Sequence, residues 1–405
     1  MFFKKKYDIL LICNDEDKAE IKDGKYFSKF LDSLKILLET YNLKSLSLAL
    51  PFARRYGGST YSNAISVNLE IFFIKVIRKV LQKINLYNGI EIFLNKCSLT
   101  EDKFYQNFIK KFGIRLVICI GANKYICQAC RESKINIVEL LHGLGYSKIP
   151  WGWSYEEIKN LPTHIWSLDR ASTKVFKPLE GMGIILEEIE HPWYSQFENF
   201  KEGSFGSISF LSKKNSPIKN KKVVLLSLTC GYDGDEGTYL YRKNVIKNGL
   251  IPSNLMELLE DQNQNIFWFI RRHPKQEAKM KYNNQKKLLD QICKKNKNVD
   301  WRQATSVSLP YLLPYVDCHI TMNSQICYDT AIYGIKSLGL CPSLIKGNSY
   351  QFAFQDLEEA NLFKRGVSKK DDILSFILES KKIKPFKLTC RNRDDFVKTI
   401  YRAIK

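Results

Sequence analysis

The sequence predicts an α/β protein made of two doubly wound, Rossmann-like domains. Short apolar runs alternate with amphipathic segments along most of the chain, which indicates parallel strands wrapped by helices. A stretch rich in Ser, Gly, Lys and Asn interrupts this alternation, and the 405 residues exceed what one ordinary hydrophobic core accommodates. We therefore expect a first domain over 1–195, a linker over 196–221, a second domain over 222–390 and a final helix over 391–405.

The individual elements follow from the spacing of apolar residues. Compact apolar runs predict first-domain strands at 7–13, 45–50, 89–94, 115–120, 136–141, 163–169 and 183–189. Apolar residues at helical spacing predict helices at 26–41, 67–84, 101–112 and 123–133. A second series begins at VVLLSLT and continues through IFWFIRR, CHITM and KSLGLCP, and RDDFVKTIYRAI is the last amphipathic helix.

Composition narrows the class of protein. The chain carries 63 Lys and Arg against 42 Asp and Glu, a net charge of +21, and 44% of its residues are hydrophobic, as in globular proteins. No apolar run reaches the eighteen or so residues of a membrane span, and the best candidate, LEIFFIKVIRKVL, is interrupted by Lys75, Arg78 and Lys79. No nucleic-acid-binding motif accompanies the dispersed lysines, so we expect no nucleic-acid partner.

The cysteines and the N-terminus indicate a reducing compartment. The eleven cysteines are scattered through apolar segments, and their odd number suits unpaired, buried thiols. Cys127 and Cys130 form a Cys-x-x-Cys pair without two further ligands at zinc-site spacing, so we interpret them as helical core. The N-terminus MFFKKKYDILLIC leads into NDED without a cleavage site and predicts a first strand rather than a signal peptide. We expect a cytoplasmic protein.

Glu139 is an acid inside the otherwise apolar strand NIVELL, and the turn His142–Gly143 follows it. Burying an acid is costly unless the acid is paired or functional. An edge strand with Glu139 facing water is the alternative. The His-Gly turn, which permits close backbone approach to a ligand, favours a functional role.

The stretch VVLLSLTCGYDGDEG joins a buried strand to an acidic, glycine-rich turn around Asp233. The flanking glycines at 231 and 234 permit a tight turn and the approach of a substrate. A calcium loop fails, because its third ligand position falls on Gly237 and its twelfth on Asn244. A plain acidic turn remains possible, but we predict that the acids of this stretch are catalytic.

A third polar cluster ends the strand IFWFIRR and contains Arg271, Arg272, His273 and Lys275. Arginine forks and a histidine donor at the carboxyl end of a strand suit a phosphate or a carboxylate. A basic surface loop is the alternative.

A fourth cluster follows the strand CHITM, where Asn323 and Ser324 precede a helix that begins near Gln325. Small hydroxyl and amide side chains at a helix N-terminus cap the helix and also face any bound anion. Capping alone would explain Ser324, but the strand-Ser-helix order favours an anion site.

Together these motifs resemble GT-B glycosyltransferases, in which two Rossmann-like domains face each other across a cleft. The His-Pro turn at His273, followed by Ser324, is similar to the bacterial CMP-sugar enzymes that add Kdo or sialic acid to surface polysaccharide. In those families the His contacts the CMP phosphate, and the Ser contacts the phosphate or the sugar carboxylate. The resemblance implies these roles here, with Asn323 and Gln325 adjacent.

Glu-x-x-His-Gly at Glu139 and Gly-Tyr-Asp-Gly at Asp233 resemble the retaining β-Kdo transferases of lipopolysaccharide and capsule synthesis. In those enzymes an Asp is the nucleophile and a Glu is the acid/base, which implies the same roles for Asp233 and Glu139. The resemblance also implies that His142 and Gly143 lie at the donor site.

Two departures stand beside this resemblance. Leu141 occupies the position where many relatives carry Gln before His-Gly, and Asp235 and Glu236 compete with Asp233 for one role. Sialyltransferases also carry an acidic motif followed by Gly, so the DEG at 235–237 keeps an inverting enzyme that uses CMP-sialic acid open as an alternative. A non-catalytic, membrane-peripheral scaffold for polysaccharide export is the other.

The resemblance further implies the partners. The donor is a CMP-sugar, which is a co-substrate, and the acceptor is a glycan or glycolipid. We expect no cofactor and no required metal, since CMP leaves readily once its phosphate is hydrogen-bonded. A lipid-linked acceptor implies peripheral binding to an anionic membrane, at the inner face of the bacterial inner membrane.

Overall fold

The structure is a computed structural model that describes residues 6–83, 100–146, 148–197, 204–205, 216–229, 251–261, 265–273, 276, 283–348, 350–366, 369–387 and 393–405. The chain divides into two compact units. The first unit comprises Met1–Phe200 with Thr389–Lys405, and the second comprises Lys201–Leu388.

The first unit contains a six-stranded parallel sheet in the order β4-β1-β5-β6-β7-β8. Its strands are β1 Ile9–Cys13, β4 Ser45–Ala49, β5 Leu116–Cys119, β6 Asn136–Leu140, β7 His164–Ser167 and β8 Ile185–Glu188. A separate antiparallel pair joins β2 Glu20–Lys22 to β3 Lys25–Phe27. The helices are α1 Leu31–Thr40, α2 Asn68–Lys83, α3 Glu101–Phe112, α4 Lys124–Glu132, α5 Arg170–Phe176 and α6 Tyr194–Phe197.

The second unit contains another six-stranded parallel sheet, in the order β11-β10-β9-β12-β13-β14. Its strands are β9 Lys222–Ser227, β10 Ile266–Arg271, β11 Val299–Asp300, β12 Cys318–Thr321, β13 Lys336–Gly339 and β14 Phe363–Arg365. Its helices are α7 Ser253–Glu260, α8 Asn283–Lys295, α9 Arg302–Ser306, α10 Leu309–Leu312, α11 Ile326–Ile332, α12 Gln355–Glu359 and α13 Lys370–Glu379.

The helix α14, Arg393–Ile404, returns to the first unit. Its Phe396 packs edge-on against the fully buried Trp166 of β7, with ring centroids 5.7 Å apart. The side-chain amide of Asn136 donates to the carbonyl of Ala403 at 3.0 Å, and Arg402 forms an ion pair with Glu187 at 2.6 Å. The first unit is therefore completed by a segment that follows the whole second unit.

Apolar side chains on both faces of the strands account for the layers. In the first unit, β1, β4 and β5 pack against α2, α3 and α4 in one cluster that includes Ile71, Tyr105 and Val117. Cys127 and Cys130 are buried in this cluster on α4, which confirms their interpretation as helical core. In the second unit, alternate residues of β9 and β10 pack against α10, and Leu225, Phe269 and Leu312 are fully buried there.

The two predicted doubly wound sheets are confirmed, and each first-domain strand predicted within the described residues is present. The helix predicted over 26–41 begins only at Leu31, because Lys25–Phe27 pairs with β2, and the helix Arg170–Phe176 was not predicted. The β2–β3 hairpin was not predicted, although its turn residues, Asp23 and Gly24, adopt φ of 50° and 78° and are a common hairpin signal. The elements from 355 to 379 were also not predicted. The predicted strand at 89–94 lies outside the described residues.

Candidate functional site

Each sheet reverses its winding direction once. In the first sheet the chain moves from β1 outward to β4 and then returns to the other side of β1 with β5. In the second sheet it moves from β9 to β10 and β11, and then returns beside β9 with β12. Open α/β sheets bind ligands at the carboxyl ends of the strands where the order reverses. The two candidate sites are therefore the β1/β5 edge and the β9/β12 edge.

At the β1/β5 edge, the side chain of Glu139 holds the loop that follows β5. Its strand pairs in register with β5, so that Glu139 lies opposite Cys119. The two carboxylate oxygens accept hydrogen bonds from the backbone N–H groups of Gly121 at 2.8 Å and Ala122 at 2.7 Å. The side chain is 0% exposed. Glu139 thus fixes the loop that follows β5, and in this conformation its carboxyl group does not reach solvent.

The pKa of Glu139 is raised to about 8, mainly because the carboxyl group is buried. The hydrogen bonds from Gly121 and Ala122 oppose this shift, and the negative charge of Asp17 adds to it. A carboxyl group with this pKa exchanges a proton near neutral pH, as an acid/base catalyst must. The predicted catalytic role of Glu139 stays a prediction, and bracing the loop is a second role that the sequence did not reveal.

Asp17 lies in a short 3₁₀ turn directly after β1, on the other side of the reversal point. Burial raises the pKa of its carboxyl group to about 7. The neighbouring Asp15 carboxylate accepts hydrogen bonds from the backbone of Arg54 at 2.7 Å and of Arg55 at 3.3 Å, which ties this turn to the loop after β4. In the sequence, NDED indicates only the end of a strand, so Asp17 was not predicted.

A close backbone approach joins the loops after β1 and β5. Gly121 adopts a φ of 84°, and a Cβ atom there would lie 3.1 Å from Nδ2 of Asn14. A side chain at Gly121 would be strained by this φ and crowded by Asn14. Glycine at 121 therefore permits the packing of the two loops at the reversal point.

The His142–Gly143 turn after β6 is packed against aromatic rings. The exposed His142 ring stacks on Trp151 at a centroid distance of 6.5 Å. A Cβ atom at Gly143 would lie 3.3 Å from the ring of Tyr146, so glycine allows this ring to approach. Leu141 is fully buried between the turn and the strand. His142 and Trp151 both present their side chains to solvent, where a donor or acceptor could meet them.

Asp169, which follows β7, holds the loop beyond that turn. Its carboxylate accepts hydrogen bonds from the backbone N–H of Gly145 at 3.1 Å and of Ser172 at 2.8 Å. The pKa of Tyr146 is raised by burial and then by the negative charges of Glu139, Asp17 and Asp169. The charges of these three side chains therefore all raise the pKa of one phenol, at the edge of the first sheet where its strands end.

The β9/β12 edge brings together the predicted anion-binding residues of the second unit. Arg271 at the end of β10 pairs in register with Ser227 of β9, which pairs in turn with Thr321 of β12. The His273 turn and Ser324 thus follow two strands that flank the end of β9. Neighbouring strands lie about 4.8 Å apart, so these two strand ends are separated by about 10 Å. The strand that leads into the Asp233 stretch ends between them.

The two arginines of this edge are engaged with the protein itself. Nη1 of Arg271 donates to the carbonyl oxygens of Ala304 at 2.7 Å and Val307 at 2.6 Å. Arg272 is 2% exposed and donates to the carbonyl oxygen of Gln276. These bonds hold α9 and the turn in place. Phosphate binding by Arg271 and Arg272 stays a prediction, and the contacts seen here do not favour it.

The backbone of His273 is hydrogen-bonded to Gln276 in both directions. Its backbone N–H donates to Oε1 of Gln276 at 2.8 Å, and its carbonyl oxygen accepts from the backbone N–H of Gln276 at 2.8 Å. Gln276 is 1% exposed and also donates to Gln285 at 3.2 Å. The sequence did not reveal this role of Gln276, because it depends on the side chain turning back to bond the backbone of His273.

The turn after β12 is held by hydroxyl groups. Thr321 donates to the carbonyl oxygen of Ser227 at 2.9 Å and accepts from the backbone N–H of Ser324 at 3.3 Å. The hydroxyl of Ser324 accepts from the backbone N–H of Ile326 at 3.3 Å, so Ser324 does cap the start of α11. Asn323 is half-buried and Gln325 is exposed beside it. The anion-binding role of these three residues stays a prediction.

A buried histidine network lies beneath this edge and was also missed. Nε2 of His319 lies 2.7 Å from the Ser227 hydroxyl, and Nδ1 lies 2.9 Å from the Ser337 hydroxyl, which in turn bonds Thr330 at 2.9 Å. Burial lowers the pKa of His319 to about 3, so the ring is neutral. The sequence shows a His in an apolar strand but not its partners.

The predicted site residues divide between the two units. Glu139, His142 and Gly143 lie in the first unit, and Arg271, Arg272, His273 and Asn323–Gln325 lie in the second. Asp233, its neighbours Asp235 and Glu236, and Lys275 lie outside the described residues. Among the described residues no group of three His, Cys, Asp or Glu side chains could hold a metal ion, and no helix is long and apolar enough to cross a membrane.

No protein-family model and no curated protein matches the chain. Solved structures do. The UDP-GlcNAc 2-epimerase from Neisseria meningitidis bound to UDP-GlcNAc is 14% identical with a TM-score of 0.56, covering 98% of this chain and 100% of that chain. The epimerase from Methanocaldococcus jannaschii in complex with UDP-GlcNAc and UDP is 12% identical (TM-score 0.54), covering 98% and 99%. The S. aureus MnaA–UDP structure is 10% identical (TM-score 0.55), covering 92% and 88%.

Likeness at these identities establishes the fold. Two parallel six-stranded sheets, together with this likeness, define a GT-B fold of two Rossmann-like domains, and the predicted fold class is confirmed.

Proposed function

We propose that this protein is a glycosyltransferase that transfers Kdo, or a related keto-sugar acid, from a CMP-sugar donor to a surface-polysaccharide or lipooligosaccharide acceptor. One observation carries the proposal: β9, the strand before the Asp233 stretch, ends between the His273 turn and Ser324. Hydrogen-bond donors at such an edge suit the phosphate of a nucleotide and the carboxylate of a keto sugar. The GT-B fold and the UDP or UDP-GlcNAc in the similar structures support a nucleotide-sugar donor.

The proposed chemistry is a double displacement that retains configuration. The Asp233 carboxylate attacks the anomeric carbon, and the bond to the CMP phosphate breaks. Glu139 then takes the proton of the acceptor hydroxyl, whose oxygen displaces Asp233. Retaining glycosidases place such carboxyl groups about 5–5.5 Å apart. Because Glu139 is fully buried beneath the loop at Gly121, this role requires that loop to open.

The decisive experiment measures donor turnover by the wild-type protein and by variants in which single acidic residues are replaced. We expect turnover of CMP-Kdo by the wild-type protein, no turnover by Asp233→Asn, and most activity in Asp235→Asn. A Glu139→Gln variant given donor should accumulate a sugar adduct on Asp233, detected by intact-protein mass spectrometry. Activity should survive a chelator. Full activity of Asp233→Asn, or an adduct on another residue, contradicts the proposal.

Donor binding is tested separately from turnover. His273→Ala should weaken CMP binding in calorimetry by about 1.5–3 kcal/mol, the range for a hydrogen bond to a charged group. Lys294→Ala, an exposed cation near the end of α8 in the same unit, is the control and should bind CMP as the wild type does. Unchanged CMP affinity in His273→Ala rejects the assignment.

The same assays separate the alternatives. Turnover of CMP-sialic acid with inversion, seen by NMR of the product anomer, would favour the sialyltransferase-like enzyme. Turnover of UDP-GlcNAc alone would favour the chemistry named for the similar structures. Glycan binding without turnover of any donor would favour a scaffold.

A further inference from the structure

The helix α2 carries apolar side chains on two faces, and only one of them is buried. Val67, just before the helix, and Ile71 and Ile74 pack into the core of the first unit. On the outer face, a second stripe has the i, i+3, i+4, i+7, i+11 spacing of one helical face. Its members are Leu69 (70% exposed), Phe72 (50%), Phe73 (59%), Val76 (38%) and Val80 (51%). We name this stripe, together with Phe52, the α2 apolar surface.

Phe52 extends this surface from the loop after β4. Its ring is 54% exposed, and its backbone adopts a φ of 64°, which is unusual for a bulky residue. The side chain of Asn68, at the start of α2, accepts a hydrogen bond from the backbone N–H of Phe52. Phe52 and Phe72 line a groove of about 450 Å³. The outward position of Phe52 is thus fixed by the fold.

Cations border the same surface. Lys75, Arg78 and Lys79 line the groove beside the aromatic rings, and the Lys75 ammonium lies 4.9 Å from the centre of the Phe52 ring. Lys75 also lies 3.8 Å from Glu101, whereas Arg78 and Lys79 are exposed. Long basic side chains beside an apolar stripe let the stripe enter an acyl layer while the charges meet anionic headgroups.

We propose that the α2 apolar surface docks onto an anionic lipid bilayer, with α2 lying in the headgroup region. The combination of an exposed apolar stripe and a basic border is what an interfacial helix requires. A second copy of the chain fits less well, because a symmetric contact would bring Arg78 and Lys79 of both copies together in a protein of net charge +21. The proposal is independent of the donor, since it concerns binding without substrate.

Sedimentation of the full chain with vesicles tests this. We expect binding to phosphatidylcholine vesicles that contain phosphatidylglycerol, little binding to phosphatidylcholine alone, and loss of binding at high salt. Phe72→Ser/Phe73→Ser should weaken binding at least about tenfold, and Arg78→Glu/Lys79→Glu by roughly thirtyfold, since each basic residue contributes on the order of 1 kcal/mol at an anionic surface.

Two control variants test whether any change of charge, or any loss of an exposed apolar side chain, would weaken binding. Lys110→Glu/Lys111→Glu makes the same charge change on the exposed side of α3, and Leu378→Ser removes a side chain that is 58% exposed on α13. Both should bind vesicles as the wild type does. Leu69→Ser, with a melting temperature equal to that of the wild type, repeats the apolar test if the phenylalanine pair disturbs folding.

Three results would overturn the proposal. Equal binding of Phe72→Ser/Phe73→Ser and wild type would exclude the apolar stripe. Equal binding to neutral and anionic vesicles would exclude the basic border. A dimer in solution that dissociates in Phe72→Ser/Phe73→Ser would assign the surface to a second copy. Donor turnover is not measured in any arm, so failure here leaves the proposed enzymatic function to its own test.

Discussion

The two sheets hold the loops at their reversal points with different chemistry. At the β1/β5 edge the loop after β5 is held by the carboxylate of Glu139, which accepts two backbone hydrogen bonds. At the β9/β12 edge the turn after β12 is held by the hydroxyl of Thr321, above the neutral imidazole of His319. The β1/β5 edge thus contains a buried acid, Glu139, that is more stable when protonated. The β9/β12 edge contains a buried base, His319, that is more stable when unprotonated.

The comparison teaches that burial favours the neutral form of both kinds of group, and that residue type, acid or base, decides which pH each unit tolerates. Burial raises the pKa of Glu139 and Asp17, and it lowers the pKa of His319. The first unit gains stability when its acids are protonated, whereas the second unit loses stability when its histidine must be protonated.

The largest effect should come from removing the carboxyl group of Glu139 that holds the loop after β5. Glu139→Ala leaves the N–H groups of Gly121 and Ala122 without their acceptor in a buried loop, at a cost of about 2–4 kcal/mol in the free energy of unfolding of the first unit. Denaturant unfolding measures this change. The exposed Glu180→Ala is the control and should stay within about 0.5 kcal/mol of wild type. A cost below about 1 kcal/mol would show that Glu139 is not a brace.

The second prediction concerns the first unit at alkaline pH. The folded-state pKa of Glu139, about 8, lies above its ordinary value, so its stabilisation is present below about pH 4.5 and is lost as the pH rises through 8. Between pH 6.5 and 8 the first unit should lose at most about 1.4 kcal/mol per pH unit from Glu139. Hydrogen exchange of the β5 and β6 amides measures the slope, and Glu139→Gln should flatten it.

The third prediction concerns the second unit at acid pH. The folded-state pKa of His319, about 3, lies below its ordinary value of 6.5, so its stabilisation is present above pH 6.5 and is lost as the pH falls towards 3. The expected loss is about 1.4 kcal/mol per pH unit. Burial raises the pKa of Asp300 and Asp356, which offsets part of it.

The difference between wild type and His319→Gln isolates the histidine. Hydrogen exchange of the β12 and β13 amides is the readout. The same slope in both proteins would mean that His319 does not control the acid response, and the comparison between the two edges would fail.

The smallest effect should come from the hydroxyl brace. Thr321→Val keeps the shape of the side chain but removes the donor to Ser227 and the acceptor for Ser324. We expect a loss of about 1 kcal/mol in the unfolding free energy of the second unit. Thr40→Val, at the exposed end of α1, is the control and should change stability by a few tenths at most. A loss as large as that of Glu139→Ala would remove the contrast between the two braces.

The sequence predicted the sheets well because their strands are buried on both faces. β1 and β5 are continuous apolar runs, which is what parallel strands between helix layers require. The β2–β3 hairpin was missed because its strands are only three residues long and half-exposed, so they show no apolar run. The Asp23–Gly24 turn was the available signal.

The site was predicted less completely because partners depend on strand order. Glu139, as an acid in an apolar strand, was correctly expected to be paired or functional. Its partners, Gly121 and Ala122, lie on the loop after a neighbouring strand, and the sequence does not show that this loop contacts Glu139. Arg271 was expected to face an anion, but Nη1 meets the carbonyl oxygens of Ala304 and Val307. Residue type predicted the chemistry of these groups, but not which neighbours would satisfy it.

The return of α14 to the first unit has a consequence for synthesis. Translation produces residues 1–200 first, but Trp166 and the β6–β8 side of the sheet await Phe396 and Ala403, which leave the ribosome only after the second unit. The second unit is one continuous segment and can close while the first still exposes the surface that α14 will cover. The unit made first is therefore the one finished last, and a fragment ending at residue 200 would present that apolar surface to chaperones.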